Sequence, residues 1–256
     1  MSQCRRPSTD LNYLKVAAEH TASLKSQSLE ALGLHPGAVV LDVGCGPGSD
    51  VHALAATKTC RAVGVDIDSR MLAAARVATA PGTSAAFVCA DAAGLPFPDT
   101  TFDAVRSERM LQHLPDPARA VREMARVTRP GGRLALIETD WASLTIEGTG
   151  DPKTEQLLAA LLIQHGAASP RAGKDLPIYA AAAPAEILTV SSTTFTTGDA
   201  GLLRLIAHLD VAENAAQAAG LLDASGLAAW RSRLISASRS GTLSCSLTLT
   251  MLVASR

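Results

Sequence analysis

Phenylalanine, tryptophan and tyrosine supply only 3% of the 256 residues. A pocket formed by this chain is therefore expected to be lined by aliphatic side chains. The five cysteines, Cys4, Cys45, Cys60, Cys89 and Cys245, are odd in number, scattered and without C-x-x-C spacing, so neither a disulfide framework nor a zinc site is indicated. No histidine pair stands at metal-ligand spacing, and no metal is expected. A formal net charge of -1 offers nothing to attract a polyanion, so neither nucleic acid nor an anionic membrane is an expected partner. Apolar runs are short, and none approaches the ~18 uninterrupted residues that would argue for membrane insertion. The two arginines of MSQCRRPSTD have no apolar segment behind them, which makes a cytoplasmic location the expectation.

What the chain has in quantity is apolar material. A hydrophobic fraction of 47% against 18% charged describes a globular protein with a substantial core, and one domain with elaborations suits the length. The stretch VLDVGCGPGSD, residues 40–50, organises the rest. Val39, Val40, Leu41 and Val43 read as a short strand buried on both faces. Gly44, Gly46 and Gly48 permit positive φ and close approach of a ligand to the main chain. Ser49 or Asp50 is the expected cap of a following helix, whose first N–H groups point towards that ligand. A helix over 10–32 comes before this stretch. After it, strands alternate with helices: 39–43 with 49–57, 62–65 with 69–78, 85–90 with a proline-rich loop, and 102–106 with 117–128. A fifth strand over 133–139 follows a stop at Arg129-Pro130-Gly131-Gly132. Such a rhythm predicts a parallel sheet with right-handed crossovers.

Asp42, Asp66 and Asp91 lie 24 and 25 residues apart, one strand-helix unit each. All three then fall at the carboxyl ends of successive strands, where open α/β sheets bind ligands. Asp66 follows the glycine turn at about the ~20-residue distance from which a carboxylate reaches ribose hydroxyls, and it can accept two hydrogen bonds from a vicinal diol. Asp91, followed by Ala92, can accept from an adenine amino group. A dinucleotide fingerprint would need glycine at position 49, where the chain has Ser49, so an NAD-linked oxidoreductase is the weaker reading.

With these residues in place, the sequence closely resembles the class I S-adenosylmethionine-dependent methyltransferases, in particular the small-molecule branch of ubiquinone/menaquinone-type and natural-product enzymes. VLDVGCGPG resembles their first motif, VGVDID their ribose-binding strand end, DAAGLPFPDTTFDAV their third segment and RVTRPGGRLALIE their fifth. The resemblance covers residues 10–140. It implies an α/β fold, a Rossmann-like seven-stranded sheet with helices on both faces and a helical cap. The implied cofactor is S-adenosyl-L-methionine, with S-adenosyl-L-homocysteine as product. By this similarity Asp42, Gly44, Cys45, Gly46 and Gly48 line the methionine end, Asp66 takes the ribose, and Ile67 and Met71 flank the adenine. Asp91 and Ala92 hold the adenine's amino edge, and Ser107 sits beside the methionine moiety. Tyr13 resembles the aromatic that closes over the cofactor in relatives with an N-terminal lid, with helix packing as the alternative.

A sulfonium is already an activated methyl donor, so the protein chiefly aligns the acceptor and excludes water. A base is needed only when the acceptor must lose a proton. SERMLQHLPDP, residues 107–117, begins beside the donor and carries the candidates. His113 is the candidate base, with packing as the alternative, and Arg109 and Gln112 are candidates to orient the acceptor. Trp141 is either a wall of the acceptor pocket or a plug beneath the cap. The apolar run LLAALLI, 157–163, must be buried against a cap or a partner subunit, which leaves a homodimer open. The expected divisions are a helical lid over 1–36, a cofactor-binding core over 37–141, a helical cap insertion over 142–185, and strands and helices over 186–256 that complete the sheet. The expected activity is in-line methyl transfer to a small organic acceptor. The alternative is a family member that binds the cofactor without methyl transfer, as a cyclase or a regulatory protein.

Overall fold

Alternation along one short strand sets the layout. In β1 (Val39–Val43), Val40 packs on one side of the sheet, while Leu41 and Val43 pack on the other, all fully buried. Each such side chain contributes about 1.5–3 kcal/mol of burial. The computed structural model describes the backbone of residues 11–57 and 59–256, and the side chains of those from residue 21 on. Helix α1 (Leu11–Ala31) precedes β1. After it come α2 (Ser49–Ala56), β2 (Arg61–Asp66), α3 (Ser69–Ala78), β3 (Ala85–Cys89), β4 (Phe102–Glu108) and α4 (Pro117–Val127). The chain continues through β5 (Thr128–Glu147), α5 (Pro152–Gly166), α6 (Ala172–Ala181) and β6 (Glu186–Thr197), then α7 (Ala200–Ile206), α8 (Leu209–Ala218), α9 (Ala224–Ser240) and β7 (Ser244–Ser255).

The seven strands form one sheet in the order β3-β2-β1-β4-β5-β7-β6. β1 pairs in parallel with β2 and β4, β2 with β3, and β4 with β5. From β1 the chain steps outward to β2 and β3 and then returns to β4 on the other side. β1 and β4 therefore flank the topological switch point, and the crevice at their carboxyl ends is the favoured ligand position. The α/β sheet expected from the sequence is thus present.

Two boundaries, both of β5, differ from the sequence reading. Arg129-Pro130-Gly131-Gly132 does not stop the chain before β5. Gly131 takes φ +77 and donates to the Arg256 carbonyl, and the register with β4 jumps between Phe102 and Ala104, so these residues are absorbed as an irregularity within the strand. At its other end β5 runs on to Glu147, because Leu144 and Ile146 are buried while Thr145 and Glu147 are exposed, a strand's period of two. Among the expected strands and helices over 186–256, α7 and α8 are separate helices, since His208 adopts φ +49 and begins α8 anew.

The chain divides into two compact units. One comprises Ser23–Glu138, Lys174–Ser191 and Thr250–Arg256. Its core has Leu41, Val105, Leu136, Met124 and Leu176 on one side of the sheet and Val40, Val51, Leu54 and Leu72 on the other. The second unit includes Thr139–Gly173 and Ser192–Leu249, with a core of Trp141, Leu158, Leu162, Trp230 and Leu234. Within it, fully buried Glu213 is bound by Arg204 and Arg231. Among the described residues no helix is long and apolar enough to cross a membrane, and no group of His, Cys, Asp and Glu could hold a metal.

Candidate functional site

The glycine turn leaves β1 strapped to β2, because the N–H groups of Gly44 and Cys45 both donate to the Val65 carbonyl at 2.7 and 3.0 Å. Gly44, Gly46 and Gly48 all have positive φ, at +78, +53 and +80, but they serve different ends. The place of a Cβ on Gly44 is taken by the Met110 side chain. A Cβ on Gly48 would meet the Phe87 ring at 2.7 Å, so that glycine lets the turn pack against β3. Gly48 also starts α2 in a left-handed conformation, with no side-chain cap. Neither Ser49 nor Asp50 caps that helix as expected, and Asp50 is committed elsewhere. Only Gly46 of the three has nothing within 4 Å of where its Cβ would stand. The Cys45 thiol turns inward beside Gly64, and burial pushes its pKa up.

Asp66 ends β2 and grips that open glycine. Its Oδ2 accepts from the Gly46 N–H and its Oδ1 from the Asp68 N–H, both at 2.8 Å. A carboxylate has about four acceptor positions, so half remain for a ligand, and the residue is half-buried. Ile67 beside it is 52% exposed, Met71 is half-buried, and Ala92 is buried. Asp91 is exposed and accepts from the Ala93 N–H at 2.8 Å.

A buried ion cluster lies on the other side of the turn. Register pairs Asp42 with Arg106 across β1 and β4, and parity puts Glu108 on the same face two residues on. The Arg106 guanidinium reaches Asp42 at 3.1 Å, Asp50 at 2.5 Å and Glu108 at 3.0 Å. Lys25 of α1 closes the cluster, at 2.9 Å from Asp50 and 3.4 Å from Glu108. Three carboxylates thus meet two cations within the cluster, and Glu108 also meets Arg109 at 3.5 Å from outside it. Burial pushes the Asp42 carboxyl up to about 7 despite the opposing pull of Arg106. For Asp50 burial is outweighed by Arg106 and Lys25, which hold it below the usual carboxylate range.

Beyond β4 the chain bends sharply. Ser107 is buried, its hydroxyl donating to the Val43 carbonyl at 2.9 Å. Arg109 has φ +51 and donates its N–H to the Ile137 carbonyl at 2.7 Å. A 3₁₀ turn, Leu111–His113, follows. Glu138, fully buried in β5, accepts the N–H groups of Met110 at 2.8 Å, Leu111 at 2.6 Å and Gln112 at 3.3 Å. The buried Gln112 amide donates to the Arg109 carbonyl at 3.1 Å and lies 3.2 Å from Nε2 of the exposed His113 ring.

A family described as methyltransferase domain matches residues 41–136. The methyltransferase GfsG of Streptomyces halstedii is 33% identical over 203 residues, which cover 75% of this chain and 70% of that protein. The chain belongs to the class I S-adenosylmethionine-dependent methyltransferases. The 2-methyl-6-phytyl-1,4-hydroquinone methyltransferase of Synechocystis is 40% identical over 42% of this chain and 33% of its own length. The chain accordingly spans less than half the length of some curated relatives it matches. In fold it is similar to the crystal structure of a protein described as a methyltransferase from Bacillus halodurans C-125, with TM-score 0.64, 18% identity, and coverage of 91% of this chain and 98% of that one.

The family's cofactor fits the residues present. The space over Gly46 is what a ligand lying on the main chain requires, and Asp66 has acceptor positions to spare beside it. The structure brings Asp42, the three glycines, Asp66, Asp91 and Ser107 to the ends of β1 to β4. Trp141 instead belongs to the core of the second unit, and the Tyr13 side chain lies outside the described residues. The sequence reading left out Lys25, Arg106, Glu108, Met110 and Glu138 as site residues. The phase of Asp42, Arg106 and Glu108 along their strands was the available signal, but it acquires meaning only once the register of β1 on β4 is known.

Proposed function

We propose that this protein transfers a methyl group from S-adenosylmethionine to a small organic acceptor. The observation that carries the reading is the open Gly46 turn gripped by Asp66, in a chain of this family. When bound, the cofactor supplies an activated methyl on a sulfonium, open to in-line displacement. The chain's own part is to bind and orient. Asp66 offers its remaining acceptor positions to the ribose, Ile67 and Met71 flank the adenine, and Asp91 and Ala92 meet its amino edge. Asp42, with the main chain of Gly44 to Gly48 and Ser107, lines the methionine end.

Arg109 and Gln112 are proposed to orient the acceptor, Gln112 through its grip on the Arg109 carbonyl and on His113. An amide nitrogen only donates, so in this geometry it fixes the His113 ring through Nε2. His113 is the proposed base where the acceptor must lose a proton, a role that requires Gln112 to release Nε2, the nitrogen that carries the ring's lone pair in this geometry. A small organic acceptor is supported by the Synechocystis relative, named for a hydroquinone, and by a net charge of -1.

Calorimetry with S-adenosylmethionine and, separately, NAD tests the cofactor. The expected result is binding of S-adenosylmethionine alone, weakened by about 1–3 kcal/mol in Asp66→Ala. Unchanged affinity in that variant removes Asp66 from the site. Incubation with methyl-labelled cofactor and a panel of hydroquinones and other phenols then tests transfer. Tight binding with no S-adenosylhomocysteine formed would move the reading to a non-transferring member of the family.

A further inference from the structure

Glu138 is the most enclosed acid in the cofactor-binding unit that has no cation in hydrogen-bond contact with it. It is fully buried, and its hydrogen bonds are to three successive backbone N–H groups, those of Met110, Leu111 and Gln112. Keeping a carboxyl in such a place costs stability that an apolar residue of similar size would not. The fold therefore carries this group midway along β5 at an energetic disadvantage.

What the three bonds hold is specific. Arg109, in the left-handed region and tied to the Ile137 carbonyl, turns the chain so that the next three N–H groups converge on one carboxyl. Met110 is the first of the three, and its Cβ and Cγ occupy the position that a side chain on Gly44 would take. The connection thus runs from Glu138 to the Met110 backbone, from the Met110 side chain to Gly44, and so to one wall of the turn that Gly46 leaves open. Gln112, third of the three, carries the amide that holds His113.

We propose that Glu138 is a positioning residue, which seats Met110 on Gly44 and so shapes the methionine end of the cofactor cleft. The proposal rests on the reading of that cleft as an S-adenosylmethionine site. Glu138 itself does not touch the cofactor, and it acts through the segment it anchors. Three N–H groups and one proton fill a carboxyl's about four acceptor positions. Protonation therefore leaves the three bonds in place but weaker, since a neutral acceptor binds less strongly than a charged one. Burial pushes the Glu138 carboxyl up to about 8 against the pull of those N–H groups and of the Arg109 charge. The seating of Met110 should accordingly loosen as pH falls through that value.

The test uses the full chain with ¹³C-methyl methionine, the Met110 signal being assigned from Met110→Leu. The wild type is compared with Glu138→Leu and Glu138→Gln, with and without S-adenosylhomocysteine. Expected in the wild type are a Met110 signal that titrates with a midpoint near 8 and a further shift on adding S-adenosylhomocysteine. Glu138→Leu should move that signal towards the position of a mobile methyl and weaken S-adenosylhomocysteine binding about ten-fold or more. Glu138→Gln keeps Oε1 as acceptor for Met110 and Leu111, so it should restore affinity to within about three-fold and abolish the titration. Wild-type affinity and an unmoved Met110 signal in Glu138→Leu overturn the proposal. If Glu138→Leu does not fold, the titration decides, since a Met110 signal that titrates unchanged in Glu138→Gln overturns it equally. A wild type that binds no S-adenosylhomocysteine defeats the cofactor reading, while the Met110 signal still reports whether Glu138 positions it.

Discussion

Asp66 ends β2 and Glu138 lies midway along β5 of the same sheet, and each accepts backbone N–H groups from a neighbouring turn. Asp66 takes two and is half-buried. Glu138 takes three and is sealed from solvent. The first keeps acceptor positions for a ligand and needs no compensation for its charge. The second has its positions filled from within and is forced upward in pKa by burial. Two carboxyl groups with similar local bonding are thus suited to different work, Asp66 to the proposed binding and Glu138 to the proposed positioning, and the difference is set by burial. Asp42 belongs with Glu138 in this respect, since it is 4% exposed and also pushed upward, to about 7.

The most severe way to disturb the buried side is to remove its cation. Arg106→Met leaves Asp42, Asp50 and Glu108 facing one another with Lys25 and, at Glu108 alone, Arg109 to balance them. Denaturant unfolding should show a loss of about 3–5 kcal/mol, the usual consequence of leaving buried charge uncompensated. A loss below about 1 kcal/mol would mean that water reaches the cluster and that the contrast with Asp66 is overdrawn.

The glycines carry the same contrast on the main-chain side. Gly44→Ala must adopt a positive φ and also displace Met110, so about 3 kcal/mol of stability should be lost. Gly46→Ala has room and meets only the backbone cost of about 1–2 kcal/mol. Cofactor affinity should rank differently from stability, because a methyl on Gly46 stands in the open space over the turn. Calorimetry on the two variants therefore separates a glycine required by the fold from one required by the ligand.

A smaller effect, in pH, follows from the two raised carboxyls. At neutral pH the folded chain retains protons on Asp42 and Glu138 that the unfolded chain has released. Stability from these groups is complete below the ordinary carboxylate range, and it is lost as pH rises through about 7 for Asp42 and about 8 for Glu138. Glu138→Gln, which does not ionise, should flatten the upper part of that fall by about 2 kcal/mol between pH 6 and pH 8. A pH profile identical to wild type would place the Glu138 carboxyl in the ordinary range.

The half of the site held by main-chain geometry was legible in the sequence, because glycines, strand-ending aspartates and their spacing are local patterns. Asp66 reaching back to Gly46 is the product of one strand-helix unit with little freedom in length. The half held by buried charge was not. Arg106 and Glu138 look like ordinary polar residues in a strand until register sets Asp42 beside one and the bend at Arg109 brings three N–H groups to the other. The same holds for Gly44, whose partner Met110 is 66 residues away in sequence. The tail of β5 failed for a different reason. Its period-two pattern over 143–147 is present, but the polar run Glu138-Thr139-Asp140 reads as a strand's exposed end, whereas all three residues are buried.

Asp91 gives the mildest test and bears directly on whether exposure marks a binding carboxylate. It is exposed, and its one described side-chain hydrogen bond is an acceptance from the Ala93 N–H at 2.8 Å, an Asx turn. Asp91→Ala should lower stability by less than about 1 kcal/mol, since losing such a local bond at an exposed site leaves no buried group unsatisfied. If Asp91 also meets the adenine amino edge, cofactor affinity should fall by a comparable ~1 kcal/mol. Asn in its place keeps one oxygen acceptor, so Asp91→Asn can hold either the Ala93 N–H or the adenine amino group, while losing the charge that serves both. Calorimetry and thermal unfolding on the pair should therefore show Asn recovering stability more fully than affinity. Equal recovery of both would make Asp91 a turn-former only, and the binding role at the sheet edge would then rest on Asp66.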